Sequence, residues 1–244
     1  MFRFFLSIIH LIVLTAALTL PGNSILAQNI KPTQSFRDSL DAKIDAKVKP
    51  FVDKGFSGAV LVAKGKKVIL KRGYGLADRT KSEPITENTV FNIGSLAKQF
   101  TAAAILKLEM SGKLKVQDSI SKHLDGVPED KQAITIHQLL TQTSGLPREY
   151  SKNDYDPANR DEMINRVLQL KLKSLPGTAY SYSNAGYMLL AAIIERVSKQ
   201  PYEQFLRDAL FKPAKMSKTS FVTEQRKRKD IACGYSGSYK GSHT

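Results

Sequence analysis

The sequence has one cysteine, Cys233, and no tryptophan among its 244 residues. A single cysteine excludes an internal disulfide, and no Cys/His spacing typical of a metal site is present. Internal repeats are also missing, which excludes a repeat protein. Hydrophobic residues make up 42% of the chain and charged residues 24%, as expected for a globular protein rather than a disordered one.

Acidic residues are scarce: 22 Asp and Glu stand against 37 Lys and Arg, and the formal net charge is +15. A basic chain favours anionic partners such as nucleic acid, membranes or polyanionic polymers. The positive residues are scattered, and only Arg226-Lys-Arg-Lys229 forms a block, which is typical of a solvated surface. Charge alone therefore identifies no partner.

The first 27 residues are typical of an export signal. Met1-Phe-Arg3 is positive, the run from Phe4 to Leu20 is mostly apolar, and Ile25-Leu-Ala27 offers a cleavage site. An uncleaved membrane anchor is the alternative, but the run is shorter than the roughly 20 residues that a membrane span requires. We predict a signal peptide at 1–27 and a periplasmic or extracellular protein. Export excludes nucleic acid as a partner and limits contact with the membrane to the signal itself.

The mature chain is predicted to be an α+β protein. The segment 28–50 is expected to form an amphipathic helix, because apolar residues recur every four positions from Phe36 to Val48 before Pro50. Two strand-like runs around Lys64-Gly-Lys-Lys67 predict a β-hairpin, and a long, mostly helical block follows within one domain, 51–244. The expected bounds are 56–63 and 68–74 for the strands, and 136–141, 160–171, 185–198 and 202–210 for the later helices.

The segment from Ser95 to Leu106 is almost wholly apolar or small, but Lys98 places a charge in its first turn. Residues three apart share a helical face, so the Ser95 hydroxyl and the Lys98 amine are expected within hydrogen-bonding reach. The helix dipole and the apolar neighbours Leu96 and Phe100 are expected to penalise positive charge on this amine. A neutral amine takes a proton from serine, which favours acyl transfer. The alternative is a serine N-cap beside a lysine that extends to solvent.

A second copy of the same spacing, Ser119-Ile-Ser-Lys122, shows that spacing alone is weak evidence. This copy lies in a polar stretch without a preceding strand-like run or a following apolar helix. We predict a surface turn there. Context, rather than the motif, therefore distinguishes Ser95 and Lys98.

A second group of candidate residues lies in Tyr182-Ser-Asn184, which precedes an apolar helix. A tyrosine can transfer a proton, and an asparagine amide can hold a substrate carbonyl. In extended backbone both side chains would point to one side. The alternative is that Ser183 or Asn184 is only a helix N-cap.

Three segments together make the sequence recognisable: Ile93-Gly-Ser-Leu-Ala-Lys-Gln-Phe-Thr-Ala-Ala-Ala104, Leu139-Leu-Thr-Gln-Thr-Ser-Gly-Leu-Pro147 and Tyr182-Ser-Asn184. They resemble the serine β-lactamase and penicillin-binding-protein superfamily, on the branch of class C β-lactamases and D-alanyl-D-alanine carboxypeptidase-like esterases. The resemblance implies a β-lactamase/transpeptidase-like fold, in which an antiparallel sheet packs with helices beside a mostly helical domain. Only the N-terminal hairpin of that sheet is expected here.

The same resemblance implies a role for each candidate residue. Ser95 would be the acylated nucleophile and Lys98 its proton acceptor. Tyr182 would be the general base or acid, and Asn184 would bind the substrate amide. The substrate would be a small molecule or a peptidoglycan-type compound, namely a β-lactam, a D-amino-acid peptide or an ester. This chemistry requires neither a metal nor an organic cofactor. The resemblance implies no oligomeric state.

The sequence departs from the family pattern in two places. Gln142 stands where the family commonly has histidine, and we expect it and the nearby His137 to be structural. Gly145-Leu-Pro147 is expected to stop a helix. The third family motif, Lys/His-Thr/Ser-Gly, was not found: Lys218-Thr-Ser220 lacks the glycine, and His243-Thr244 comes too early. We therefore expect a chain that is incomplete at its C-terminus.

Three hypotheses follow from these patterns. The first is an exported serine acyl hydrolase. The second is a catalytically inactive envelope protein that binds peptidoglycan or a partner through the same groove, and the third is an inert fragment. Because a lone hairpin leaves an unpaired apolar edge, we expect residues 28–244 to be poorly active and prone to aggregation.

Overall fold

Helix α1 spans Gln34–Val52 in the computed structural model, which describes residues 34–149, 159–221 and 230–235. The helix was expected to end near Pro50 but continues through it to Val52. Proline removes only its own N–H from the helical hydrogen bonds. The turn after Pro50 is retained, since the Asp53 N–H donates to the Lys49 carbonyl at 3.1 Å. The predicted signal peptide, the basic block and the terminal His-Thr pair lie outside the described residues.

The predicted hairpin is confirmed. Strands β1 (Gly58–Lys64) and β2 (Lys67–Tyr74) pair in antiparallel register. Charged and aromatic side chains of β2 attach the hairpin to α1: Arg72 pairs with Asp45 at 2.6 Å, and the Tyr74 hydroxyl donates to the same carboxylate at 2.8 Å. Tertiary contacts therefore hold the first helix against the hairpin.

A second two-stranded sheet follows, which the sequence did not predict. Strand β3 (Leu76–Asp78) pairs with β4 (Glu83–Pro84), and Val90 makes an isolated parallel bridge to Ile231. Strands of two or three residues are too short to show an alternating pattern. The backbone at Ile231 thus lies beside Val90, which comes shortly before Ser95 in the sequence.

The rest of the described chain is mainly helical, as predicted. A 3₁₀ turn at Gly94–Ala97 leads into the long helix α2. The predicted helix 160–171 ends earlier, at Leu168, and the predicted helix 202–210 changes at Arg207 into a π-helical turn that ends at Phe211. The helices are α2 (Lys98–Met110), α3 (Ile136–Leu140), α4 (Arg160–Leu168), α5 (Asn184–Ser198) and α6 (Tyr202–Leu206).

Helix α5 lies at the centre of the hydrophobic core. Its side chains at Leu189, Leu190 and Ile193 are fully buried, and they join Ile105 and Leu108 of α2 in one apolar cluster. Each buried side chain of this size contributes about 1.5–3 kcal/mol relative to exposure. Since α2 and α5 pack together, residues near their N-terminal ends can share one site. Within the described ranges, the structure has no helix with the length and apolar character needed to cross a membrane.

Candidate active site

Ser95 lies in the 3₁₀ turn before α2, and its side chain is exposed. It is not a helix N-cap. The N-cap positions of the turn and of α2 are Ile93 and Ala97, and neither makes a side-chain capping bond. The alternative interpretation of Ser95 as a capping residue is therefore wrong, and its hydroxyl is available to other groups.

The Ser95 hydroxyl oxygen accepts two hydrogen bonds. The Tyr182 hydroxyl donates at 2.8 Å, and the Lys98 ammonium donates at 3.3 Å. Lys98 begins α2, whereas Tyr182 lies 87 residues from Ser95 in sequence, just before α5. The fold thus brings three of the predicted site residues together.

Lys98 lies among polar and aromatic groups rather than in the apolar enclosure that was expected. Leu96 is 63% exposed and does not cover the amine. The Lys98 Nζ instead donates to Asn184 Oδ1 at 2.8 Å and lies 4.9 Å and 5.6 Å from the ring centres of Tyr182 and Tyr187. The amine therefore faces an amide oxygen and two aromatic rings rather than aliphatic side chains.

The same cation acts on the neighbouring phenol. The Lys98 ammonium first, and the Ser95 hydroxyl second, lower the pKa of Tyr182 below its usual value, although desolvation opposes the shift. A phenol with a lowered pKa is ionised in a larger fraction of molecules near neutral pH. Tyr182 is therefore a candidate for accepting a proton from Ser95, whose oxygen lies 2.8 Å from the phenol oxygen.

Asn184 is the fourth predicted residue, and its amide connects Lys98 to a carboxylate. Its Nδ2 lies 3.0 Å and 2.9 Å from the two carboxylate oxygens of Glu149. The Arg148 Nε donates to Glu149 at 3.0 Å, and the guanidinium lies 5.4 Å from the ring centre of Tyr182. The bond from Asn184, followed by that from Arg148, lowers the pKa of Glu149 despite some desolvation.

Glu149 and Arg148 were not predicted as site residues. Both directly follow the Leu139–Pro147 motif, but no local spacing indicates that they reach Asn184, which is 35 residues away from Glu149. Tyr187 was missed for a different reason. It lies on the apolar helix α5, where an aromatic residue is most simply interpreted as core.

Gln142 has the structural role that was expected. Its backbone is left-handed, with φ of 62°, and its side chain is buried. Its Oε1 accepts from the Ser183 N–H at 2.7 Å, and its carbonyl accepts from the Ser181 N–H at 2.8 Å. Gln142 thus holds the backbone on both sides of Tyr182.

Ser183 is the N-cap of α5, and Asn184 is the first residue of that helix. The Ser183 Oγ accepts from the Gly186 N–H at 2.9 Å and donates to the Pro147 carbonyl at 2.7 Å. The N-cap alternative is therefore correct for Ser183 and wrong for Asn184, whose side chain is directed to Lys98 and Glu149.

Gly145 has a different role from the helix stop that was predicted. Helix α3 already ends at Leu140. Gly145 has φ of 80°, and a Cβ atom there would lie 2.1 Å from the Ser174 carbonyl oxygen. The Lys173 N–H donates to the Gly145 carbonyl at 2.8 Å. The glycine therefore permits close approach of the 173–174 loop to the segment that carries Gln142.

The second Ser-x-x-Lys copy forms the surface turn that was predicted. Ser119 caps a short 3₁₀ helix, Ile120–Lys122, by accepting from the Ser121 N–H. The Lys122 ammonium is exposed and pairs with Asp118 at 2.8 Å. Neither side chain contacts the Ser95 group in the bonds that the described residues make.

A cavity of about 320 Å³ lies beside Lys98 and Asn184. Arg160 at the start of α4 is half-buried there, paired with Glu195 at 2.9 Å. No group of three or more metal-ligating acidic, histidine or cysteine side chains occurs in the described part of the chain. The remaining residues of the cavity wall are Thr101, Glu149, Tyr187, Met188, Ala191 and Tyr202.

Comparison with known proteins gives concordant matches. The family model described as Beta-lactamase matches residues 44–243. Protein flp from Staphylococcus aureus strain MW2 is 37% identical over 206 residues, which are 79% of this chain and 41% of that protein. The crystal structure of FmtA from Staphylococcus aureus has a TM-score of 0.73 at 29% identity, covering 82% of this chain and 55% of that one. A class C beta lactamase structure has a TM-score of 0.70 at 25% identity, covering 82% and 56%.

Proposed function

We propose, since the chain belongs to the beta-lactamase family, that it is an exported serine acyl hydrolase that forms an acyl-enzyme at Ser95. The predicted superfamily and the β-lactamase/transpeptidase-like α+β fold are confirmed by the family match and the similar structures. The chain spans 41% of the length of its relative flp, so the activity of a whole protein is part of the proposal.

One observation carries the proposal: the Ser95 oxygen lies within hydrogen-bonding distance of both Tyr182 and Lys98. A serine hydroxyl is a weak nucleophile until a base removes its proton. The phenolate form of Tyr182 would accept that proton while the Lys98 ammonium stabilises the phenolate. This assignment differs from the sequence expectation, in which Lys98 was the first proton acceptor.

The proposed reaction has two steps. Ser95 Oγ attacks the substrate carbonyl carbon, its proton passes to Tyr182, and the tetrahedral intermediate breaks as the leaving amine or alkoxide takes the proton. Water then attacks the acyl-enzyme and gives a proton to Tyr182. The second tetrahedral intermediate breaks as Tyr182 returns that proton to Ser95 Oγ, which releases the acid and restores the Ser95 hydroxyl and the Tyr182 phenolate. The positive end of the α2 dipole favours the negative charge on the intermediate.

We further propose that the substrate is a β-lactam, a D-amino-acid peptide or an ester, met in the periplasm or outside the cell. The cavity beside Lys98 and Asn184 would receive the acyl group, and the Asn184 amide would hold its carbonyl. The net charge of +15 suits anionic envelope polymers of the peptidoglycan type. The export signal supplies the route to that compartment.

The proposal is tested by labelling the purified chain with a fluorescent penicillin and, in parallel, with a fluorescent phosphonate ester. Ser95→Ala should lose the label, and Ser119→Ala should keep it, because Ser95 bonds the Tyr182 phenol, whereas Ser119 bonds Ser121 and the Gln132 carbonyl. Ser119→Ala is a matched control, since it removes the serine of the other Ser-x-x-Lys copy. Label that persists in folded Ser95→Ala would disprove the assignment. Binding of peptidoglycan without any label would favour the catalytically inactive alternative.

A further inference from the structure

We propose that Glu149 is a positioning residue, which fixes the orientation of the Asn184 amide and thereby the place of Lys98. The inference rests on the proposed function in one respect: Lys98 and Tyr182 matter because they act on Ser95. It goes beyond that function by assigning a role to a carboxylate outside the three recognised motifs. Glu149 would not contact the reacting atoms.

The contacts form a continuous chain from the carboxylate to the nucleophile. Both oxygens of Glu149 lie within 3.0 Å of Asn184 Nδ2. On the other end of the amide, Asn184 Oδ1 accepts from the Lys98 ammonium at 2.8 Å. The same ammonium donates to Ser95 Oγ at 3.3 Å.

The carboxylate determines which way the amide faces. The oxygen and nitrogen of an asparagine side chain are nearly equal in size, so hydrogen-bonding partners decide between the two orientations. If the Asn184 amide turned over, its NH₂ group would face the Lys98 ammonium, donor against donor. Its oxygen would then face the Glu149 carboxylate, acceptor against acceptor. Glu149 and Lys98 together therefore permit one orientation, and the loss of Glu149 removes half of that restriction.

This arrangement leaves Asn184 able to bind substrate. The two oxygens of one carboxylate subtend a much smaller angle at Nδ2 than the two diverging N–H bonds do. One N–H is therefore shared between both Glu149 oxygens, and the second N–H points elsewhere. That second N–H remains for an acyl carbonyl. The carboxylate holds the amide without competing for the substrate.

Arg148 completes the arrangement by holding Glu149. Its Nε donates to Glu149 Oε1 at 3.0 Å, and its guanidinium lies 5.4 Å from the centre of the Tyr182 ring. Both residues are adjacent in sequence and follow Pro147, whose carbonyl accepts from Ser183. The loop that carries the carboxylate is thus attached to the N-terminus of α5, where Asn184 begins the helix.

Two substitutions of Glu149 distinguish a positioning role from a purely electrostatic effect of its charge. Glu149→Gln removes the negative charge but keeps an oxygen that can accept from Asn184. Without that charge the positive field at Tyr182 grows, so its pKa should fall further or stay low. Glu149→Ala removes the oxygen as well, which frees the amide and lets Lys98 move from the phenol. The pKa of Tyr182 should then rise toward its ordinary value of 10.0.

The experiment measures the Tyr182 titration in the full chain by ¹³C NMR of ring-labelled tyrosine, with the signal assigned through Tyr182→Phe. We expect the titration to move upward in Glu149→Ala and downward, or not at all, in Glu149→Gln. Glu87→Ala and Glu87→Gln are the controls, because Glu87 forms an exposed ion pair with Lys71. Neither control should move the Tyr182 signal. The measurement requires no turnover, so its outcome is independent of whether the proposed hydrolase activity exists.

The labelling rate supplies a second measurement. At neutral pH, Glu149→Ala should lower the rate of label attachment by about tenfold to a hundredfold, because misplaced catalytic groups cost this much. Glu149→Gln should retain most of the rate. If Ala and Gln shift the Tyr182 titration in the same direction, or if neither variant shifts it, Glu149 does not position Lys98 and the inference is wrong.

Discussion

At the scale of single residues, the Lys98 ammonium is the group that makes the Tyr182 phenol more acidic. The Lys98 Nζ lies 4.9 Å from the centre of the Tyr182 ring. The ammonium and the phenol also both donate hydrogen bonds to the Ser95 oxygen. The charge state of Tyr182 therefore depends on a residue that the sequence pattern had itself suggested as the base. The two roles can be separated by experiment.

Lys98→Met should move the pH dependence of Ser95 labelling to higher pH. In the proposed mechanism the reactive form needs the Tyr182 phenolate, so the rate rises as pH passes upward through the pKa of Tyr182. That pKa is lowered in the wild-type protein, and removal of the cation returns it toward 10.0. The labelling rate near pH 7 should fall by about a hundredfold or more, since general-base catalysis contributes 10²–10⁴-fold.

The control for this prediction is Lys122→Met, which removes an exposed lysine paired with Asp118 on the surface. Its pH profile should match that of the wild type. The rate of label attachment is measured between pH 6 and 10. If the acid limb of the Lys98→Met profile is not shifted, the role assigned to Lys98 is wrong.

The sequence indicated the four candidate site residues, which the structure brings into contact, because each lies in a short local motif. Ser95 and Lys98 share one turn, and Tyr182 and Asn184 are two positions apart. The sequence could not predict Glu149, because its contact with Asn184 is made only by the folded chain. It also misjudged the surroundings of Lys98, since the exposure of Leu96 depends on how α2 is oriented against α5.

At the scale of secondary structure elements, long segments with clear periodicity were predicted well. Helix α5 was expected at 185–198 and begins one residue earlier, and the hairpin strands lie within two residues of their expected bounds. The errors occur where tertiary contacts decide the backbone. The prediction that Gly145 stops a helix failed because its conformation serves a contact with the Ser174 loop.

Gly145→Ala should destabilise the protein far more than Gly112→Ala. Both glycines have left-handed backbone, with φ of 80° and 71°, which costs alanine about 1–2 kcal/mol. Only at Gly145 does the added Cβ meet another atom, the Ser174 carbonyl oxygen. Including the clash, we expect a loss of about 3–5 kcal/mol for Gly145→Ala.

Urea denaturation followed by circular dichroism measures both free energies of unfolding under the same conditions. Gly112→Ala serves as the matched control, because a Cβ there meets no atom within 4 Å. Equal losses in the two variants would show that the 173–174 loop moves aside without cost.

At the scale of the whole molecule, an apolar groove lies between α1 and the hairpin. Val48, Phe51, Phe56 and Val60 line this groove, whose volume is about 580 Å³. Phe51 is 63% exposed, and large exposed apolar surfaces promote association. The sequence predicted an uncovered hairpin edge, but the contribution of α1 to the groove follows only from the fold.

Phe51→Lys should reduce self-association of the chain more than Met110→Lys. Both variants add one positive charge, and Met110 is even more exposed, at 82%, but it lies at the end of α2 and does not line the groove. Light scattering after size-exclusion chromatography should show a larger monomer fraction for Phe51→Lys. A similar gain in both variants would attribute the effect to net charge rather than to the groove.

Gln142 is one of several links between two stretches of chain that are distant in sequence, because its side chain and its carbonyl hold the backbone at Ser183 and Ser181. These hydrogen bonds have a consequence for the evolution of the sequence. A lineage that replaces Gln142 loses the side-chain bond to the Ser183 N–H, which supports the backbone next to Tyr182, and leaves Ser95, Lys98, Tyr182 and Asn184 unaltered. If the proposed hydrolysis is the selected activity, descendants would restore it most readily through compensating changes around 181–183, so these distant positions should evolve as a pair.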